Sequence, residues 1–365
     1  MTTPKEKRSS QNAWPSWITS GSTLIGGLLL LALFLMYWPT PSHISLETTV
    51  SRAEMTLGTF PSQQILNPLE VESISFGQFS KIEFHPSVLQ VADPNQYDMQ
   101  TDSFAPEAWQ PLTMFGYIRF SNQTPSTLVT IHPEDRGQKI LGTLEPIHVR
   151  EESNVIFEMD EHDPSTITMK ISGPETRVIL TPTQPFEIIA DETKIDGIKD
   201  MPFREEPSLT FRPDLPERRP QIEIRGSEQL LTLTVKITRS PKNHMLSDQP
   251  MTVSSLDFSR QGPTGNRVTA LVQPGTLHYP DFKDLPVHTI PATDFVSIEP
   301  KKVMTIKHMM LQENQPGLKL LLDGTAKHIQ SGSSEFPIDH RLSKFDELWN
   351  NTKVQLLYGL WKDIK

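Results

Sequence analysis

Leu231-Thr232-Leu233-Thr234-Val235-Lys236-Ile237-Thr238 is the stretch whose pattern decides the fold. Apolar and polar residues alternate without a break. Successive side chains of a strand point to opposite faces, so this segment carries one apolar face and one polar face. A helix would instead need apolar residues three and four positions apart. Ile167-Thr168-Met169-Lys170-Ile171 repeats the alternation, and Lys81-Ile82-Glu83-Phe84-His85, Ile222-Glu223-Ile224 and Val303-Met304-Thr305-Ile306-Lys307 are shorter versions. Burial on one side belongs to antiparallel sheets, because parallel strands are covered on both faces and read as unbroken apolar runs. About fifteen to twenty such runs fall between Thr49 and Arg341, with no amphipathic helix among them.

Proline agrees with this reading. It supplies 32 of 365 residues, near twice the usual share of about 5%, and it is scattered between the apolar runs. Strands separated by turns tolerate that spacing, whereas helices would be broken by it. The expected fold is mainly β: antiparallel β-sandwich or jelly-roll modules. Between Lys199 and Pro220 the alternation stops, and Pro202, Pro207, Pro213, Pro216 and Pro220 stand among charges. Such a composition favours a stiff extended segment. It predicts a first module over 44–199, a linker over 200–220 and a second module over 221–341. The alternative is a long loop inside one large β domain.

The chain ahead of these strands differs in kind. Residues 1–17 form a short tail carrying Lys5, Lys7 and Arg8 against Glu6, and Ile18 to Trp38 is an apolar run with no charged residue from Ser9 to Ser42. As a helix, 21 residues span about 31 Å, the thickness of a hydrocarbon core. Trp14 and Trp17 on one side and Tyr37 and Trp38 on the other sit where aromatic rings prefer the headgroup level. These features predict a single transmembrane helix over 18–38, in contact with the lipid bilayer. The positive excess predicts a cytoplasmic N-terminus. A cleaved signal peptide is the rival, although its apolar core would be shorter and end in a small-residue cleavage site. Ser22 with Gly26 and Thr23 with Gly27 are small-residue pairs through which two such helices could associate as a homo-oligomer.

Setting the tail aside, residues 43–365 hold 31 Lys plus Arg against 43 Asp plus Glu, a charge near −12. That balance repels phosphate backbones and excludes nucleic acid as the expected partner. The chain has no cysteine. This rules out a lipid-modified cysteine and places an exported domain more naturally in a bacterial periplasm than among disulfide-rich secreted proteins.

The C-terminus returns to helical spacing. Ser343 and Asp346 fit a capping box, Glu347 adds negative charge to the first turn, and Lys362 and Lys365 suit the far end of the dipole. A helix within 342–365, from about Lys344 to Ile364, would carry Leu342, Phe345, Trp349, Leu356, Leu360 and Ile364 on one face, widened by Trp361. Trp349, Leu356, Leu360 and Trp361 are therefore candidate partner-binding residues. Trp109, in a proline-flanked loop, is another, because tryptophan is favoured at binding hot spots.

No nucleophile elbow, zinc helix, phosphate loop or dinucleotide fingerprint is present, and no catalytic, metal or cofactor residues are assigned. Asp93, Asn95, Asp98 and Asp102 loosely echo a calcium loop, but Asp98 takes the place of the required glycine and Phe104 that of the closing glutamate. Asp160-Glu161-His162-Asp163 reads as a hairpin turn between strands. The expectation is a membrane-anchored extracytoplasmic binding or scaffold protein, not an enzyme, serving as an accessory subunit to membrane protein partners in a bacterial envelope complex. Two rivals stand beside it. One is a lipid or glycolipid conduit: an anchored β-jelly-roll with a larger ectodomain, it resembles in outline the single-pass bridging subunit of lipopolysaccharide export, and the resemblance implies an acyl chain carried along an apolar interior. The other is an envelope glycan or peptide hydrolase whose catalytic residues come from distant strands.

Overall fold

Leu231–Ile237 is a strand, and its alternation is realised side chain by side chain: Leu231, Leu233, Val235 and Ile237 are buried while Lys236 faces solvent. It lies antiparallel between Thr166–Ser172 and Leu69–Gly77. On the outward face Thr168 and Thr234 share a hydroxyl hydrogen bond of 3.0 Å, a cross-strand pair of the kind that sets register. Each fully buried aliphatic on the inward face contributes about 1.5–3 kcal/mol of transfer free energy.

The computed structural model describes residues 16–350 apart from 86–88, 102, 112–116, 122–127, 136, 138, 161, 175, 191–193, 199–207, 214–219, 227–229, 239–243, 283, 312–315 and 334–336; beyond 350 it describes Val354, Leu356 and Lys362. Among the described residues there are 29 strands, more than alternation revealed. The surplus consists mainly of strands of two to four residues, such as Tyr97–Asp98 and Gly142–Leu144, too short to show a period. The protein is mainly β, built around one large antiparallel sheet of 25 strands.

The sheet forks at Leu69–Gly77. The first half of this strand pairs with Gly142–Leu144 and the second half with Leu128–Pro133. One branch continues through Arg177–Pro182 and Gln221–Gly226 to Phe79–His85. The other runs through Phe186–Ala190 and Ser208–Pro213 to Leu89–Ala92. Strand twist turns the branches so that they face each other. Phe84 from the first meets Phe211 from the second at 5.2 Å between ring centroids, and Phe211 stacks on Phe186 at 5.1 Å. All three rings are buried, an arrangement consistent with a β-sandwich. Gly142 sits at the fork, where a Cβ would collide with the Thr181 carbonyl oxygen, so no side chain fits.

At the other end of the sheet, the long strands Phe295–Leu311 and Leu318–Gly332 form its most extended pair. Ser42–Val50 inserts between Leu318–Gly332 and Gly275–His278. Arg52–Leu57 joins Met251–Gln261 to Asn154–Met159.

These pairings cross the boundaries of the expected modules. A second module beginning at 221 would lack Ser42–Val50, whose Ile44 and Leu46 are fully buried. Within the expected linker, Ser208–Pro213 is a strand paired on both edges; the rest of that linker lies largely outside the described residues. The chain instead divides into one unit of Met1–Thr40 with Arg341–Lys365 and another of Pro41–His340. Proline density marked where alternation lapses, and strand partners are chosen by packing.

In the first unit, helix α1 spans Ser16–Tyr37, with side chains described from Gly26 onward. The expected membrane span over 18–38 finds no support here: among the described residues no helix is long and apolar enough to cross a membrane. Gly26–Tyr37 covers about 18 Å, against a hydrocarbon core of about 30 Å. Trp14 lies outside the described residues, as does the side chain of Trp17. Helix α2 spans Lys344–Trp349, shorter than expected, and starts where the cap predicted. Ser343 Oγ accepts from the Asp346 N–H, and the Asp346 carboxylate accepts from the Ser343 N–H, completing the capping box. Val354, Leu356 and Lys362 are helical beyond it; Leu360 and Trp361 lie outside the described residues.

Candidate functional site

Among the described residues, most of the exposed large apolar side chains belong to the unit of the two chain ends. Leu28, Leu29, Leu30, Leu31, Leu33, Phe34 and Leu35 of α1 are all exposed, Leu30 to 69%. These positions run around the whole helix, so the surface is an apolar cylinder and not a stripe that could dock on one neighbour. Monomeric soluble surfaces rarely carry a contiguous patch of this extent.

At the end of this cylinder the aromatic residues form a ladder. Tyr37 stacks on Phe345 with centroids 5.4 Å apart, and Phe345 stacks on Trp349 at 6.0 Å. Phe34 on α1 and Trp38, the residue just past its end, touch with ring centroids 5.0 Å apart. The two segments are clasped by backbone as well. Thr40 N–H donates to the Leu342 carbonyl at 2.9 Å, and Pro39 bridges to Ser343. Thr40 Oγ1 also donates to Glu347 Oε1 at 2.8 Å. Of the sequence-predicted residues, Tyr37, Trp38, Trp349 and Leu356 are thus exposed in this unit, and the structure brings Tyr37 and Trp349 together through Phe345. Neither end of the sequence signals that contact, because 307 positions separate Thr40 from Glu347.

Trp109 lies elsewhere. It is half-buried in the short strand Trp109–Pro111 beside Leu89–Ala92. The Arg212 guanidinium sits 4.2 Å over its ring, and Phe104 meets it edge-on at 5.7 Å. Arg212 is held in turn by Gln90 Oε1 at 2.7 Å. Trp109 therefore fills the end of a sheet branch, presenting only part of its ring.

A polar groove of about 510 Å³ crosses the outer face of Arg52–Leu57 and Met251–Gln261. Sequence reasoning missed it, because its arginines come from positions 52, 260 and 267 and each looks like an ordinary outward strand residue. Arg52 contacts Glu54 at 2.8 Å, Glu158 at 3.0 Å and the Ser259 carbonyl at 2.6 Å. Arg267 pairs with Asp257 and lies 4.1 Å over the Phe295 ring. Burial lowers the Arg267 pKa. Because carboxylates answer the guanidiniums of Arg52 and Arg267, the groove offers hydrogen bonds with little net charge, and it gathers no acid–base pair with opposed environments.

One constellation resembles hydrolase machinery in composition. Ser331 Oγ is 2.7 Å from His340 Nε2, and Asp294 Oδ2 is 3.3 Å from the same hydroxyl. The wiring is wrong for catalysis. An orienting carboxylate must hold the imidazole, whereas here it addresses the serine. One hydroxyl proton cannot serve both neighbours: if Ser331 donates to Asp294, Nε2 must carry a proton and cannot act as base. Ser331 is 1% exposed, closed to substrate. Burial, followed by the charge of His288, whose ring lies 4.6 Å away, lowers the His340 pKa. The cluster ties down the end of the β unit, with Tyr279 Oη donating to the His340 carbonyl at 2.5 Å.

The acidic clusters are turns. Asp93 accepts from Asn95 N–H at 3.0 Å and Asp98 from Gln100 N–H at 2.8 Å. Asp160 accepts from His162 N–H at 2.8 Å and Asp163 from Ser165 N–H at 3.0 Å. These are Asx turns, in which side-chain oxygens satisfy nearby backbone donors. The bonds to Ser165 and Thr166 hold the Asp163 carboxyl below its ordinary pKa. No protein-family model matches the chain, and no curated protein is similar to it.

Proposed function

We propose that the protein is a single-pass, membrane-anchored binding or scaffold subunit whose β unit works outside the cytoplasm, as an accessory component of a bacterial envelope complex. The observation that carries the proposal is the exposed apolar cylinder of α1. An isolated helix apolar on every side loses about 25 cal/mol for each Å2 left in water, and a bilayer removes that penalty. The uncharged run from Ile18 to Trp38 has the length for it, and Lys5, Lys7 and Arg8 orient the tail toward the cytoplasm. The β unit then presents polar faces and strand edges, which suit protein partners through edge pairing.

The conduit reading asks for an open interior lined by aliphatics. Phe84, Phe186 and Phe211 instead pack together between the branches, each no more than 1% exposed. The hydrolase reading asks for an accessible acid–base pair, and the Ser331–His340 pair is buried and miswired. Crosslinking the full-length protein in its native envelope, followed by mass spectrometry of proteins and lipids, tests the proposal. Stoichiometric recovery of a membrane protein is expected. Recovery of the protein alone with bound lipid overturns the scaffold reading in favour of the conduit, and its presence only in the soluble fraction overturns the anchor.

A further inference from the structure

We infer that α2 lies in the headgroup layer of the bilayer, beside the end of α1, so that the chain is held at the lipid surface both before and after its β unit. This inference rests on the reading of α1 as a membrane anchor. Three observations carry it. First, the Tyr37–Phe345–Trp349 ladder makes the surface of α2 continuous with the end of α1. Tyrosine and tryptophan prefer the level at which a membrane helix meets water. Second, Leu348, Trp349 and Leu356 are exposed, Leu356 to 62%, in the same unit as exposed Tyr37 and Trp38.

Third, the charges are sorted. The Asp346 carboxylate is engaged in the cap and Glu347 accepts from Thr40, whereas Lys344 and Lys362 are exposed. In a chain of net charge −10, the described charged residues of this segment are sorted, with the cations Lys344 and Lys362 outward and the anions Asp346 and Glu347 tied into hydrogen bonds. An apolar face edged with lysine is the composition of helices that lie on anionic lipid. The clasp between Thr40 and Leu342 fixes α2 at the depth where α1 emerges.

Because the chain has no cysteine, Leu30→Cys, Leu348→Cys, Leu356→Cys and Met99→Cys each place a single nitroxide on the full-length protein. The probe is the labelled protein in vesicles of phosphatidylethanolamine and phosphatidylglycerol, read by collision with oxygen and with a water-soluble nickel chelate. Met99, 89% exposed in the β unit, is the water reference. The expected oxygen-to-nickel ratio is highest at Leu30 and severalfold above Met99 at Leu348 and Leu356. Ratios at Leu348 and Leu356 equal to Met99, with Leu30 still deep, overturn the inference and leave the anchor standing. Shielding of both sites from both reagents means protein covers α2 and also overturns it. A Leu30 label as wet as Met99 sinks the anchor itself.

Discussion

Two aromatic stacks in this chain have similar geometry and opposite surroundings. Phe84, Phe211 and Phe186 meet at about the same spacing as Tyr37, Phe345 and Trp349. The first trio is sealed between sheet branches, while Trp349 in the second is 49% exposed. Ring contact is therefore not what distinguishes a core from a surface. What distinguishes them is whether the chain supplies its own cover. In the β unit, alternating strands bury each other. In the unit of the two chain ends, the described apolar side chains of α1 are left exposed on every side of the helix.

The strongest way to break this contrast is to remove a ring from the sealed stack. Phe211→Ala is expected to destabilise the β unit by about 3–5 kcal/mol, since a buried phenylalanine leaves a cavity that a close-packed sheet cannot close. Urea unfolding would measure it, and the variant is expected to remain in the membrane fraction. Leu30→Arg makes the converse cut. On the anchor reading it weakens insertion by about 2.5–3.5 kcal/mol, seen as release of the protein by alkaline carbonate, with the urea midpoint of the β unit unchanged. An unchanged carbonate-resistant fraction would argue that α1 is covered by something other than lipid.

A smaller effect sharpens the comparison at the clasp. Ser343→Ala removes the capping hydroxyl of α2 and is expected to cost about 1 kcal/mol locally. Amide exchange should accelerate about fivefold at Asp346–Trp349 and stay constant across Leu231–Ile237.

The gentlest probe is pH. Burial and His288 hold the folded pKa of His340 below its ordinary value of 6.5, so the folded state binds fewer protons than the unfolded chain just below that pH. The stabilisation is complete above about pH 6.5 and declines as pH falls through that value toward the folded pKa. The urea midpoint is expected to drop between pH 8 and pH 5.5, and to drop less in His340→Gln. Equal slopes in the two proteins would remove His340 from the account.

Much of the fold could be read from residues alone. The outward threonines and inward aliphatics of Leu231–Ile237 and Thr166–Ser172 lie where period two put them. Ser343 and Asp346 cap α2 as their spacing required. Short strands such as Gly142–Leu144 were invisible, because three residues cannot display alternation. Strand pairings cross the expected module boundary for a related reason. Prolines near 200–220 mark where local pattern lapses, yet Ser208–Pro213 pairs on both edges and Ser42–Val50 pairs with strands more than 200 positions away. The candidate surface divides in the same way. Trp349 and Leu356 stood out by helical spacing, whereas the contact of Tyr37 with Phe345 and the arginine groove depend on partners remote in sequence.

The sequence by itself determined that the longer alternating segments such as Leu231–Ile237 and Thr166–Ser172 are strands, which side of each of them is apolar, where α2 begins, and that one segment is apolar all round. These properties follow from periods of two and 3.6 residues and from local capping, all read within a few positions. Only the tertiary structure decided that one strand forks the sheet, that the first two strands belong with the last ones, that Ser331 and His340 are wired as a tie and not as a catalytic pair, and that the chain's two ends clasp. Those outcomes depend on which surfaces fill each other's space, and close packing compares the whole chain at once.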